Sequence, residues 1–86
     1  MNAEDFLPDL EELSSEMGMK IRYEKGDFDG GYCILKDQQI IVVNKKLHPS
    51  RKASVIALAL GEIGIDNLFV KPNVRMFIED ELVRAR

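Results

Sequence analysis

Apolar residues recur at helical spacing near the N-terminus, at Phe6, Leu10, Leu13 and Met17. Acidic residues crowd the early turns of this segment, and Gly18 follows as a C-terminal stop. The pattern predicts an amphipathic first helix. Pro8 is tolerated in a first helical turn but would kink a helix that began at Ala3.

A two-residue period follows the first helix. Met19, Ile21 and Tyr23 alternate with charged residues, which predicts a strand with one buried face. Residues 31 to 36 and 40 to 44 are predicted strands of a hairpin that turns at residues 37 to 39. The β-branched run Ile40 to Val43 suits an inner strand, or one whose outer face another element or molecule covers.

Two more helices follow these strands. Pro49 marks the N-terminus of the first of these helices, which should run to about Ile63 and end at Gly64. It is apolar almost all round, so it is predicted to be the central helix, with a main buried stripe of Ile56, Ala59, Leu60 and Ile63. Pro72 opens the last helix, whose apolar face is Val74, Phe77, Ile78 and Leu82.

This order of elements predicts one α+β domain spanning residues 1–86. We expect a small three-stranded antiparallel sheet with an N-terminal helix, a buried central helix and a C-terminal helix. The helices should pack on one face of the sheet. At 86 residues the chain is long enough for a single core but too short for two domains.

Composition narrows the classes of function. The chain is 45% hydrophobic and 31% charged, with a net charge of −3, so electrostatics gives no reason to expect nucleic acid or anionic lipid as a partner. The longest apolar run, residues 55 to 61, is far short of the roughly 20 residues of a membrane span. The first residues do not resemble a signal peptide, and the single cysteine suits a reducing compartment, so we expect a cytoplasmic protein.

A family resemblance lies in residues 40 to 64. A strand that ends in Asn44, a short basic connection, Arg51 and a helix with the pair Leu60 and Gly61 resemble the core of the ImmA/IrrE-type zinc metallopeptidases. The helix of that family carries HELGH, whose two histidines bind zinc and whose glutamate acts as the base.

The HExxH motif is absent from this chain. Leu58 stands where the first zinc ligand would be, Ala59 where the base would be, and Glu62 where the second ligand would be. The resemblance therefore implies a degenerate metallopeptidase-like scaffold. It carries over neither metal nor catalysis, and we expect no cofactor.

The single cysteine and the single histidine are expected to have structural roles rather than catalytic ones. Cys33 lies within a predicted strand, has no base or electropositive setting nearby in sequence, and is expected to pack. His48 precedes Pro49 and is expected to cap the central helix or lie in a loop. Nothing in the sequence supports a dyad of the two residues.

Two charged segments leave alternatives open. Asp27 and Asp29 precede Gly30 and Gly31 as in the start of a calcium loop, but the later ligands of that motif are missing, which favours a turn between strands. The basic residues around the start of the central helix either contact a phosphate or form a solvated connection: Lys45, Lys46, His48, Arg51 and Lys52.

These observations favour a non-catalytic protein-interaction module that binds a protein partner or itself. The alternatives are a small enzyme that uses Cys33 or an acidic pair such as Glu79 and Asp80, and a phosphate-binding module at the start of the central helix.

The predicted partner-binding residues are Ile40, Val42 and Asn44. If their strand lies at the edge of the sheet, its backbone can accept a further strand from a second copy or an extended peptide. If the strand is interior, both of its edges are already paired.

Overall fold

The computed structural model describes residues 2–26 and 30–85. A single 3-10 turn, Ala3–Phe6, leads into the first helix. The elements that follow are α1 (Leu7–Glu16), β1 (Lys20–Glu24), β2 (Tyr32–Leu35), β3 (Ile40–Asn44), α2 (Pro49–Ile63) and α3 (Pro72–Arg84). The predicted turn at Asp27 and Asp29 lies outside the described residues. The protein is therefore of the α+β class, with three helices and three strands among the described residues.

The two ends of α1 follow from local sequence. The 3-10 turn moves the start of the α-helix to Leu7, so Pro8 lies in the first turn, where its missing N–H costs no helical hydrogen bond. Gly18 ends the helix with φ of 78°. The Gly18 N–H donates to the Ser15 carbonyl at 3.0 Å and the Met19 N–H to the Ser14 carbonyl at 2.8 Å, which is a Schellman motif.

The sheet is mixed, so the predicted antiparallel sheet is wrong in part. The strand order is β1-β3-β2. β2 and β3 form the predicted antiparallel hairpin, but β1 pairs with β3 in parallel, from Lys20 opposite Ile40 to Glu24 opposite Asn44. The physical reason is that the most apolar strand, β3, takes the centre and separates β1 from β2.

The helices α1 and α2 cover one face of the sheet. Ile41 and Val43 of β3 point to that face and are completely buried, as are Ile56 and Leu60 of α2. Side chains directly opposite in register share a face, so the other face carries Ile40, Val42 and Asn44 together with Cys33, Leu35, Lys20, Arg22 and Glu24. We call this second surface the open face, because the core cluster includes none of these residues.

The predicted helices α2 and α3 are confirmed, with both prolines in the first turn. α3 packs closely on α2 at Gly61, where an added Cβ atom would lie 2.8 Å from the Leu82 side chain. A glycine is therefore required for this approach of the two helices. The Phe77 ring of α3 stacks on the Phe6 ring at 4.7 Å, which ties α3 to the N-terminal turn as well.

Within the described part of the chain, none of the helices is both long enough and apolar enough to cross a membrane.

The burial of α2 gives a stability prediction. Leu60→Ala should lower the free energy of unfolding by about 2 to 5 kcal/mol, because it removes buried methyl groups and leaves a cavity. Leu58→Ala is the matched control on the same helix and should cost less, since Leu58 is only half-buried. Urea denaturation measures both variants. A Leu60→Ala midpoint equal to that of the wild type would contradict the assignment of this helix face to the core.

Candidate functional site

The first candidate site is the side of α2 that carries Leu58 and Glu62, the two positions that the predicted resemblance aligns with zinc ligands. Leu58 and Glu62 are four residues apart on α2 and therefore lie on the same side of the helix. Leu58 is half-buried and outside the core cluster, whereas Ala59 is fully buried within it. The side chain at the position of the base is thus a methyl group in the core.

Glu62 bonds to the sheet. The Tyr32 hydroxyl of β2 donates a hydrogen bond of 2.5 Å to Glu62 Oε1. Partial burial, with this hydrogen bond and the negative charge of Glu62, raises the pKa of Tyr32 well above its ordinary value. The side chain at the position of the second zinc ligand therefore links α2 to the edge strand β2.

A second tyrosine forms a matching link at the other edge of the sheet. The Tyr23 hydroxyl of β1 donates a hydrogen bond to Glu11 Oε2 of α1 at 2.8 Å. Partial burial is the main cause that raises the pKa of Tyr23, and this hydrogen bond adds to it. The Lys52 ammonium lies 5.3 Å from the centre of the Tyr23 ring. Each edge strand is thus bonded to a helix through a tyrosine and a carboxylate.

Among residues 2–26 and 30–85, no group of three or more His, Cys, Asp or Glu side chains is arranged to hold a metal ion. Leu58 has no donor atom, and Glu62 already accepts a bond from Tyr32. The donors present on this face of α2 do not fit a zinc site.

The thiol of Cys33 is exposed on the open face, so the expectation that it packs is wrong. Side chains alternate along a strand, and Cys33 points away from the helices because Tyr32 and Ile34 point toward them. His48 caps α2, as expected: its Nδ1 accepts from the Ser50 N–H at 3.2 Å. In the described structure no hydrogen bond joins Cys33 and His48.

The remaining candidates are dispersed. Glu79 and Asp80 are both exposed on α3, and consecutive helical residues do not face each other. At the start of α2, a phosphate would compete with the His48 ring for a backbone donor, because His48 Nδ1 already accepts a hydrogen bond from the Ser50 N–H.

Ile40, Val42 and Asn44 all lie on the open face, where Val42 is buried and Ile40 and Asn44 are half-buried. Their strand β3 is central and paired on both sides. The edge interpretation is therefore wrong and the interior alternative is the one observed. Contact of a partner with these three side chains stays a prediction.

The most exposed large apolar side chain in the described structure is one that the sequence analysis missed. Phe69 is 88% exposed in the connection between α2 and α3. Its neighbours hold the connection in place: Ile65 and Val70 are buried, and the Arg75 Nη2 donates to the Leu68 carbonyl at 3.0 Å and to the Ile65 carbonyl at 3.4 Å. Phe69 is therefore displayed by an anchored segment.

A groove of about 140 Å³ lies beside Phe69, between α1 and the start of α3. We call it the Phe69 groove. Its apolar side chains are Leu13, Val70 and Val74, and its acidic side chains are Asp9, Glu12 and Glu16. Lys71 also lines it and forms an ion pair with Asp9 at 3.4 Å.

One signal for this groove was present in the sequence. Asp9, Glu12 and Glu16 are spaced three and four residues apart, which places them on one stripe of a helix next to the buried Leu13. The other wall comes from an irregular connection without periodicity, and its position depends on the tertiary packing of α3.

Comparison of the chain with protein-family models, with curated proteins and with solved structures gives no match. The resemblance to the ImmA/IrrE-type peptidases therefore stays a prediction.

We predict that the protein holds no stoichiometric zinc. Protein purified without chelator and dialysed should contain far less than one zinc per chain by mass spectrometry, because Leu58 provides no ligand and Glu62 is bonded to Tyr32. The double variant Leu58→His, Glu62→His is a positive control, since it places two imidazoles four residues apart on one helix face. About one zinc per chain in the wild-type protein would overturn this prediction.

The two tyrosines give a pH prediction. In a titration followed by tyrosinate absorbance, neither should ionise at the usual pKa of about 10. Since the folded-state pKa values are raised, the associated stability is present below about pH 10 and is lost as the pH rises further.

Glu62→Gln should lower the pKa of Tyr32 and leave Tyr23 unchanged, whereas Glu11→Gln should do the reverse. These two variants are controls for each other. A wild-type titration in which half of the absorbance change is centred near pH 10 would contradict the raised pKa of one of the two tyrosines.

Proposed function

We propose that the chain is a non-catalytic protein-interaction module on a metallopeptidase-like scaffold that has lost its metal-binding positions. The observation that supports this proposal best is the display of Phe69 on an anchored segment beside an apolar groove. Leu58, Ala59 and Glu62 contribute a half-buried apolar group, a core methyl group and a bond to Tyr32, which favours binding over catalysis.

An exposed aromatic side chain of this kind suits binding energetics. Aromatic residues dominate the binding energy of many interfaces because they bury a large apolar area and lose few rotamers. The bonds from Arg75 and the burial of Ile65 and Val70 fix the backbone on either side of Phe69 before a partner arrives. A fixed backbone reduces the conformational entropy that is lost on association.

The partner is proposed to be a protein rather than a nucleic acid. The groove beside Phe69 is lined by three carboxylates and one lysine, and the chain carries a net charge of −3, so phosphate groups would be repelled. We also propose a cytoplasmic location, since the exposed free thiol of Cys33 suits a reducing compartment.

The test is affinity purification from native cells with the tagged wild-type chain and a Phe69→Ser variant. Proteins retained by the wild type should be lost with Phe69→Ser, because the variant removes the exposed ring without touching the core. Val83→Ser is the matched control, since Val83 is also an exposed apolar residue, at 69% exposure, but lies at the far end of α3.

Thermal unfolding checks that the Phe69→Ser variant is folded. Light scattering of the purified chain identifies a second copy as the partner if the wild type is oligomeric and Phe69→Ser is monomeric. A monomer whose retained proteins are the same for wild type and Phe69→Ser would contradict the proposal.

A further inference from the structure

We propose that the Phe69 groove binds a cationic segment of another protein, one that inserts a single bulky apolar side chain between flanking lysines or arginines. This inference rests on the proposed function and adds the class of partner. It combines two properties of the groove, the size of its apolar floor and the sign of its charge.

The apolar floor accepts one side chain. Leu13, Val70 and Val74 are buried at the base of the groove, and Phe69 stands exposed beside them. The volume of about 140 Å³ is close to that of cavities that accept one benzene ring, about 150 Å³. A single leucine-sized or phenylalanine-sized group therefore fills the groove, and contact with the exposed Phe69 ring extends the apolar interface.

The acidic wall selects positive charge. Asp9, Glu12 and Glu16 line one stripe of α1, and only Asp9 has an ion pair within residues 2–26 and 30–85, with Lys71. The Cα atoms of Glu12 and Glu16 lie about one helical turn apart, roughly 6 Å along the axis of an ideal helix. Cationic side chains on both sides of an inserted apolar group can pair with the two carboxylates, and negative segments are repelled.

The basic segment of a second copy fits this groove less well. Lys45, Lys46, Arg51 and Lys52 surround one large apolar side chain, Leu47, but Leu47 is packed against the core of its own domain. Lys52 lies over the Tyr23 ring. This segment has the charge but no free apolar group to insert, so a different protein is favoured.

The probe is a fluorescein-labelled peptide with one central phenylalanine flanked by lysines and arginines. Two matched peptides serve as controls: one has serine in place of phenylalanine, and the other has glutamates in place of the cations. Titration into the 15N-labelled chain should shift the amide signals of Leu13, Glu16, Val70 and Val74 to saturation. Neither control peptide should do so, and salt should weaken the binding of the probe.

Variants of the protein test the two parts of the groove. Glu12→Gln with Glu16→Gln should weaken binding of the probe peptide about tenfold at low salt, as expected for two exposed ion pairs. Phe69→Ala should weaken it by about tenfold or more. Glu79→Gln with Asp80→Gln removes the same charge from exposed positions of α3 and should leave binding unchanged.

The experiments distinguish failure of this inference from failure of the proposal that the chain is an interaction module. If the serine peptide binds as well as the probe, or the signals that shift lie elsewhere, the inference is overturned. The inference is also overturned if the probe does not bind. If Phe69→Ser still loses cellular partners in that case, the proposal of an interaction module is retained, with another class of partner. Self-association that is abolished by Glu12→Gln with Glu16→Gln assigns the groove to a second copy and also overturns the inference.

Discussion

The burial of β3 under α2 is the interaction on which the rest of the structure depends. Ile41 and Val43 of the strand and Ile56 and Leu60 of the helix are all completely buried. A strand of four consecutive β-branched residues is most stable where neighbours pair with both of its edges, so β3 occupies the centre. The hairpin places β2 on one side, and β1 completes the other side in parallel.

The elements of this fold could be predicted from the sequence because their signals are local. Periodicity located the helices and β1, and the hairpin turn with the β-branched run located β2 and β3. The prolines marked the starts of α2 and α3, and Gly18 marked the end of α1. Strand order could not be predicted in the same way. The alternation of Ile21 and Tyr23 with charged residues predicts which side chains face the helices, but it is the same in a parallel and an antiparallel pair. Neither side chain is fully buried, since Ile21 is half-buried and Tyr23 is exposed.

The candidate site was predicted less well, for related reasons. Cys33 was expected to pack because nothing nearby in sequence supports a reactive thiol, but strand alternation directs it to the open face. The bond between Tyr32 and Glu62 joins residues 30 positions apart, so its formation depends on the packing of β2 against α2. Phe69 had no periodic neighbours to define its face, and its exposure depends on how Arg75 holds the connection.

These features together describe a domain in which Glu62 of α2 is used for internal bonding and an aromatic residue is displayed elsewhere. Glu62 stabilises the contact between α2 and the sheet, while the connection after α2 presents Phe69 beside an acidic groove. Preorganised binding requires the connection that presents Phe69 to be rigid in the free protein.

Backbone 15N relaxation of the free chain measures this rigidity. We expect order parameters of about 0.85 for Leu68, Phe69 and Val70, equal to those of α2. Values below about 0.6 across these residues would show a flexible connection and would contradict the claim that Phe69 is held ready for a partner.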